Sequence, residues 1–225
     1  MVADTVLYGD ERKILVLGIG NILWADEGFG VRAVEYLAAQ YRFGHDVQIM
    51  DGGTQGLYLL PVLEDLETLI IVDAIDFGLA PATLHHVEGS AVPATIGARK
   101  MSLHQTGFQE VLALLDLRGH APRSIHLVGV QPVTMQDYGG GLTEAVARQV
   151  PHAVRMVLDL LAQRYGVYPT PAQRAPIPGA GVMTQAIART AYEQGRPSAE
   201  LACRYGDERV LARKEDYNPC ALAYP

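Results

Sequence analysis

The sequence has few cysteines and no long apolar stretch. Cys203 and Cys220 both lie near the C-terminal end, where they can pair with each other only once and cannot supply a cysteine-based zinc site. No window approaches the roughly 20 consecutive apolar residues that a membrane helix needs. Residues 1–13 carry Asp4, Asp10 and Glu11, whereas a signal peptide begins with basic and then apolar residues. We therefore expect a cytoplasmic, globular protein without membrane insertion.

Basic residues are also scarce. The chain has 18 Lys+Arg against 25 Asp+Glu, a formal net charge of −7. The imbalance lies in residues 1–167, with 11 basic against 19 acidic residues, while residues 168–225 hold 7 against 6. A protein that binds nucleic acid needs a basic patch or stripe to contact phosphates. The charge distribution therefore argues against a nucleic-acid partner.

The composition predicts one domain followed by an extension. With 225 residues, 49% of them hydrophobic, the chain is long enough for one well-filled core. We place this catalytic domain at residues 12–167. Prolines cluster from residue 168 to 178, which predicts an extended linker. The remainder of the extension, up to residue 225, has only two short helical patterns, neither of which can bury a core alone.

Strand and helix patterns alternate along the first 165 residues. Short apolar runs predict strands, and apolar residues at helical spacing predict helices between them. The predicted strands are 13–18, 47–50, 69–74, 83–87 and 124–130, with Pro81 and Pro93 bounding the fourth. The predicted helices are one that begins near residue 31 and three at 57–66, 106–117 and 142–165. The run at 69–74 is the most apolar and suggests a central strand, whereas 83–87 suggests an edge. This alternation predicts an α/β fold with three layers, α/β/α, around a mostly parallel, twisted sheet.

The first loop contains a glycine pattern that resembles a dinucleotide site. Gly18 and Gly20 follow a strand and precede a helix, where glycines let backbone amides approach phosphates. However, Leu23 replaces the third glycine, and Asp26 and Glu27 would repel an anion. We therefore interpret Gly18 and Gly20 as residues that permit a tight turn, with nucleotide binding as the weaker alternative.

Two acids and one histidine are candidate metal ligands. Asp73 ends the most apolar strand, and Glu27 lies in the loop after the first strand. Ligands of open α/β sheets gather at the carboxyl ends of the strands, so these carboxylates are expected to lie close together. His104, just ahead of the helix near Thr106, is expected to face the same crevice. Together the three offer nitrogen and oxygen ligands for a divalent transition metal. Helix capping or ion pairing is the alternative for either acid.

The sequence lacks the parts of several common protease mechanisms. It has neither a G-x-S-x-G nor an H-E-x-x-H motif, and both cysteines lie in the extension. Serine, thiol and zincin schemes are therefore excluded. Any hydrolysis has to use the acids and a metal.

Five ordered blocks resemble the hydrogenase maturation endopeptidases. The first joins Ile14 to Leu23 with Asp26 to Arg32. The others are Asp51-Gly52-Gly53-Thr54, Ile71-Val72-Asp73-Ala74, Ser102-Leu103-His104-Gln105-Thr106-Gly107 and Leu127-Val128-Gly129-Val130-Gln131-Pro132. The resemblance covers roughly residues 12–165.

The resemblance implies both a fold and a function. The family has an α/β/α fold of the phosphorylase/hydrolase-like type and is sometimes grouped with the aspartic peptidases. Its members remove a C-terminal extension from the precursor of a [NiFe]-hydrogenase large subunit after nickel insertion. Carried onto this sequence, the family's metal-contacting positions are Glu27, Asp73 and His104, and the nickel is supplied by the substrate. The choice of nickel over iron or zinc rests on the family alone.

Some roles stay open at this point. We interpret Asp73 as a metal ligand, because no paired-aspartate dyad is evident. Asp26 and Asp51 are expected to cap helices, with support of the metal ligands as the alternative. The extension is interpreted as a docking segment. A different class of function, a nickel-sensing chaperone that binds the precursor without cutting it, predicts the same three ligands.

Overall fold

The computed structural model describes residues 13–98, 103–135 and 139–172. Its strands are β1 Ile14–Ile19, β2 Tyr41–Arg42, β3 Val47–Gly53, β4 Thr68–Ala74, β5 Leu84–Glu88, β6 Ser124–Val130 and β7 Thr170–Pro171. Its α-helices are α1 Phe29–Gln40, α2 Leu60–Leu63, α3 Ala91–Ala98, α4 Leu103–Arg118, α5 Glu144–Ala147 and α6 Val150–Tyr165. Two 3₁₀ turns span Ala25–Gly28 and Gly56–Leu59. Among these described helices, none has the length and apolar character needed to cross a bilayer.

The main sheet has five strands in the order β3-β1-β4-β6-β5. β1, β3, β4 and β6 are parallel, and β5 pairs antiparallel with β6 at one edge. β4 occupies the centre, and all seven of its residues are buried. A parallel strand covered on both faces has to be apolar throughout, which explains its sequence. The predicted central strand and the predicted edge strand are both confirmed.

Helices cover both faces of the sheet. One face packs against α1 and α6, in a core that includes Phe29, Val72 and Val157. The other packs against the second 3₁₀ turn and α2 to α4, in a core that includes Ile71 and Phe108. Alternation along β4 assigns Val72 to the first face and Ile71 to the second, as expected for side chains that alternate across a strand. The predicted three-layer α/β/α fold is confirmed.

Three helix predictions need correction. The helix predicted from residue 57 to 66 is a 3₁₀ turn followed by the single turn α2, which ends at Leu63. The long helix predicted from 142 to 165 is interrupted, because α5 ends at Ala147 and α6 begins at Val150 with Pro151 in its first turn, the helical position that proline tolerates. α3 was not predicted, since Pro93 suggested a boundary where it in fact lies in the first turn of a helix.

The start of the predicted linker is attached to the domain. β7 pairs antiparallel with β2, with Tyr41 opposite Pro171 and Arg42 opposite Thr170. The backbone N–H of Ala172 also donates to the carbonyl of Gln40 at 2.9 Å. The chain is therefore extended here, as predicted, and bound as a short strand. The two helical patterns predicted further along, within 173–225, lie outside the described residues.

Candidate functional site

The strand order creates a crevice between β1 and β4. After β1 the chain forms β3 on one side of β1, and it then crosses over to form β4 on the other side of β1. Connections that diverge from two adjacent parallel strands leave a gap outside their carboxyl ends, where α/β proteins bind ligands. We call the end of the sheet where β1 and β4 terminate the carboxyl edge, and the opposite end, where they begin, the amino edge. Neither is the lateral edge formed by β5. The first 3₁₀ turn and the end of β4 meet at the carboxyl edge, and they carry Glu27 and Asp73.

Glycines allow the first 3₁₀ turn to lie directly on the strands. Gly20 has φ +138°, and a Cβ atom there would stand 1.8 Å from the carbonyl oxygen of Glu27. At Gly30, a Cβ atom would stand 2.0 Å from the carbonyl oxygen of Val72. Both distances are far below van der Waals contact, so neither position accepts a side chain without backbone movement. The two glycines thus set Glu27 and Asp73 at the same crevice, and the tight-turn interpretation of Gly20 is confirmed.

Asp73 is buried at the end of the central strand. Its side chain is 2% exposed, and its Oδ1 accepts a hydrogen bond from the backbone N–H of Ala74 at 2.7 Å. Alternation along β4 directs Asp73 to the same face as Ile71, the face that α4 covers. Removing a carboxylate from water is costly unless donors or a cation compensate it. The position therefore requires donors or a cation close to the carboxylate.

Glu27 is also buried, at 7% exposure, within the first 3₁₀ turn. The N-cap of α1 is Gly28, so neither acid of this loop occupies the capping position. The alternative that Glu27 is the N-cap of α1 is therefore excluded. Two buried carboxylates thus come from neighbouring elements that border the crevice.

His104 belongs to the first turn of α4, which begins at Leu103. The helix thus starts three residues earlier than the sequence predicted, and the side chain of His104 lies outside the described part of the chain. The backbone nevertheless locates this turn. α4 leads into the amino end of β6, so its first turn lies at the carboxyl edge. Gly107 approaches Gly56, just beyond β3, at 4.0 Å when a Cβ atom is built on it.

Asp26 fixes the loops that border the crevice. Its fully buried carboxylate accepts hydrogen bonds from the backbone N–H groups of Val133, Thr134 and Thr143 at 2.9, 3.1 and 2.7 Å. The Thr143 hydroxyl, at 3.1 Å, is a fourth partner. The prediction that Asp26 caps a helix is wrong, because its partners belong to two loops more than a hundred residues away. The alternative, a supporting role beside the candidate ligands, agrees with this geometry.

Asp51 does not cap a helix either. Its Oδ1 accepts from the backbone N–H of Gly53 at 2.9 Å, which forms a local turn at the end of β3. Partial burial raises the pKa of the Asp51 carboxyl, the Gly53 hydrogen bond lowers it, and the Glu35 carboxylate raises it further. The glycines at 52 and 53 favour such a side-chain-stabilised turn over a helix start.

Sequence reasoning missed Gln131. This buried side chain accepts hydrogen bonds from the backbone N–H groups of Phe77 and Leu79 at 2.8 and 3.2 Å, and it donates to Asp76 Oδ1 at 3.1 Å. It therefore holds the loop that follows Asp73. Its signal in the sequence was a polar residue directly after the apolar strand β6, within one of the five blocks that carry the resemblance.

Exposed apolar side chains surround the crevice. Leu23, Leu57, Tyr58, Leu79 and Val133 are all exposed, Tyr58 to 87%. They follow the carboxyl ends of β1, β3, β4 and β6, so all lie on one edge of the sheet. We call them the apolar rim. Five of the nine large exposed apolar side chains among the described residues thus lie here, and such a group of side chains favours contact with another protein.

Known proteins resemble this chain along most of its length. A family model described as "Hydrogenase maturation protease" matches residues 31–160, which include Asp73 and His104 but not Glu27. The hydrogenase expression/formation protein HupD of Thiocapsa roseopersicina is 49% identical over 89% of this chain and 90% of its own length. The hydrogenase 2 maturation protease of Escherichia coli is 41% identical over 67% of this chain and 92% of its own.

Solved structures of hydrogenase maturation endopeptidases also resemble this chain. The hydrogenase maturating endopeptidase HybD from Escherichia coli superposes with a TM-score of 0.67 at 41% identity, covering 71% of this chain and 97% of that one. A [NiFe] hydrogenase maturation protease HybD from Thermococcus kodakarensis superposes with a TM-score of 0.55 at 27% identity, covering 66% of this chain and 98% of that one.

Proposed function

This chain belongs to the hydrogenase maturation protease family, and we propose that it removes the C-terminal extension of a [NiFe]-hydrogenase large-subunit precursor after nickel has been inserted. The observation that carries the proposal is the burial of Asp73 and Glu27 at the crevice between β1 and β4. The relatives from Thiocapsa roseopersicina and Escherichia coli match this chain over 90% and 92% of their own length.

The donor set suits a divalent transition metal held by the substrate. Asp73 and Glu27 supply carboxylate oxygens, and His104 in the first turn of α4 would supply an imidazole. Nitrogen and oxygen ligands bind nickel, zinc and iron alike, so the preference for nickel comes from the family's substrate. In this proposal the three side chains contact the metal only when the precursor presents it, so an immature precursor is not cut.

The residues of the chain then have separate roles in hydrolysis. A divalent cation at this position polarises a carbonyl or lowers the pKa of a water molecule. Glu27 or Asp73 accepts the proton of the attacking water and returns it to the departing amine. Asp26 and Gln131 hold the surrounding loops through the hydrogen bonds described above. The apolar rim contacts the precursor around the scissile segment.

A mass assay tests the proposal. We expect the wild-type protein to remove a short C-terminal peptide from a nickel-loaded large-subunit precursor, and Asp73→Asn to process it about 10²-fold more slowly or worse, because a ligand to the cation is weakened. Asp116→Asn, at an exposed position near the end of α4, is the matched control and should cut like wild type.

One other outcome would overturn the proposed activity, and a second would overturn only the role of Asp73. A precursor that binds tightly to the wild type and never shortens would support a chaperone that senses nickel. Equal processing by wild type and Asp73→Asn would remove Asp73 from the site while leaving the peptidase activity intact.

A further inference from the structure

Three potential metal ligands meet on β5 and β6, away from the crevice. His86 and Glu88 lie on β5, and His126 lies on β6. Glu88 is directly opposite His126, and His86 is opposite Val128, two residues further along β6. Residues two apart on a strand share a face, so all three side chains project to the same side. That face packs against α6, whereas Asp73 projects to the other face.

The spacing of the ligand atoms suits a small cation. His86 Nε2 lies 3.2 Å from His126 Nδ1, and His126 Nδ1 lies 3.8 Å from Glu88 Oε2. One ligand atom from each of the three residues lies within 4.8 Å of the other two. In a tetrahedral zinc site with bonds of roughly 2.0–2.1 Å, neighbouring ligand atoms are about 3.3 Å apart. A modest movement of the half-exposed Glu88 would complete this geometry.

Other residues orient the buried imidazole of His126. Its Nε2 is 2.8 Å from the Tyr165 hydroxyl and 3.1 Å from Ser124 Oγ. With Nε2 as donor to a hydroxyl oxygen, Nδ1 carries the lone pair, and it faces His86 and Glu88. Metal-binding histidines are typically held in this way, with the other ring nitrogen hydrogen-bonded. The pKa values of His86 and His126 are both lowered, chiefly because burial desolvates the rings. A lowered pKa favours the neutral imidazole, which is the form that binds metals.

The cluster is accessible from solvent. An open cleft lined by His86, Asp159, Gln163 and Arg164 lies beside it, with room for water as a fourth ligand. Arg164 also donates to Glu88 Oε2 at 3.0 Å, so that a cation and the guanidinium would share this carboxylate. A carboxylate has two oxygens and about four acceptor positions, which makes simultaneous contact feasible.

We propose that His86, Glu88 and His126 form a binding site for Zn²⁺, separate from the crevice. In this site the cation takes the place of the hydrogen bond between the two imidazoles, with the proton of His86 moved from Nε2 to Nδ1, and fastens the edge strand β5 to β6. Because the ligands come from two strands and Tyr165 of α6 supports one of them, bound metal stabilises this side of the fold.

Zinc titration of the full-length protein tests the proposal. The wild-type protein is stripped of metal and titrated with Zn²⁺ alone. The amount of zinc bound per chain and the midpoint temperature of thermal unfolding are measured. His86→Gln and Glu88→Gln should each weaken one zinc site at least about 10-fold and so reduce the zinc-induced rise of the midpoint. His85→Gln is the control, since His85 is the neighbouring residue of β5 and its ring packs edge-on against Phe77 instead.

The remaining variants separate this site from the crevice. Asp73→Asn should leave the zinc-induced rise of the midpoint intact, and Tyr165→Phe should weaken zinc binding about 10-fold by removing one of the two hydroxyl partners of His126 Nε2. The proposal is overturned if wild type binds no zinc, if His86→Gln and Glu88→Gln bind it as wild type does, or if Asp73→Asn alone abolishes the rise.

Discussion

The two edges of the sheet hold their buried polar groups in different ways. At the carboxyl edge, the Asp26 carboxylate is bound mainly by backbone N–H groups of two distant loops. Towards the amino edge, His126 is bound by the side chains of Ser124, Tyr165 and His86. Hydrogen bonds from backbone N–H groups fix the path of a loop, whereas hydrogen bonds between side chains fix only the orientation of those side chains. The carboxyl edge therefore determines the shape of the crevice, and substitutions there should change both stability and processing.

The apolar rim adds to this contrast. Its five exposed side chains all follow strands at the carboxyl edge. The apolar rim and the buried acids thus lie at the same end of the sheet, which holds the loops of the rim in place. The following predictions test this comparison in order of decreasing effect.

The largest effect on stability is expected from Gly20→Ala. The added Cβ atom would stand 1.8 Å from the Glu27 carbonyl oxygen, at a backbone φ of +138°, so the first 3₁₀ turn has to move away from β1. We expect a loss of about 3 kcal/mol or more in the free energy of unfolding, measured by urea denaturation. Gly44→Ala is the control, because its Cβ atom would meet nothing within 4 Å. Equal stability of the two variants would contradict the packing described here.

Asp26→Asn should have a somewhat smaller effect. An amide NH₂ cannot accept hydrogen bonds, so some of the four donors around Asp26 lose their partner inside the protein. We expect a loss of about 2–3 kcal/mol in unfolding free energy together with slower processing of the precursor. Asp46→Asn, at an exposed position, should change stability by less than about 0.5 kcal/mol. Normal processing by a destabilised Asp26→Asn would show that the loops do not shape the crevice.

The smallest effect is expected at Asp51. Its pKa in the folded protein is raised above 3.8, chiefly by burial, so the folded state favours the protonated acid. The resulting stabilisation is present below pH 3.8 and is lost as the pH rises through the folded-state pKa. Asp51→Asn should therefore be more stable than wild type at pH 7, by about 0.5 kcal/mol or less for a solvent-screened group. The difference should shrink when unfolding is repeated near pH 4; a difference that is independent of pH would contradict this assignment.

The sequence predicted the sheet better than the helices. Buried parallel strands such as β4 are apolar without interruption, and this signal does not depend on distant residues. α3 and the break between α5 and α6 escaped prediction because Pro93 and Pro151 are tolerated in a first helical turn. The shortness of α2 had no comparable signal.

The candidate acids of the site were predictable for a related reason. Glu27 and Asp73 each follow or end a strand, and parallel strands bring their carboxyl ends together. The roles of Asp26 and Gln131 were not predictable, because their partners lie 107 to 117 and 52 to 55 residues away in the chain. Such contacts depend on the completed fold and have no local pattern.

The most direct test of the account compares nickel-loaded with nickel-free precursor in the presence of the wild-type protein, with the precursor mass as readout. If the carboxyl edge senses the metal through Asp73 and Glu27, the nickel-loaded precursor should shorten and the nickel-free precursor should stay intact. Asp73→Asn should leave both at full length. Cleavage of the nickel-free precursor at the rate of the loaded one would contradict the account, because the buried carboxylates would then act without the metal.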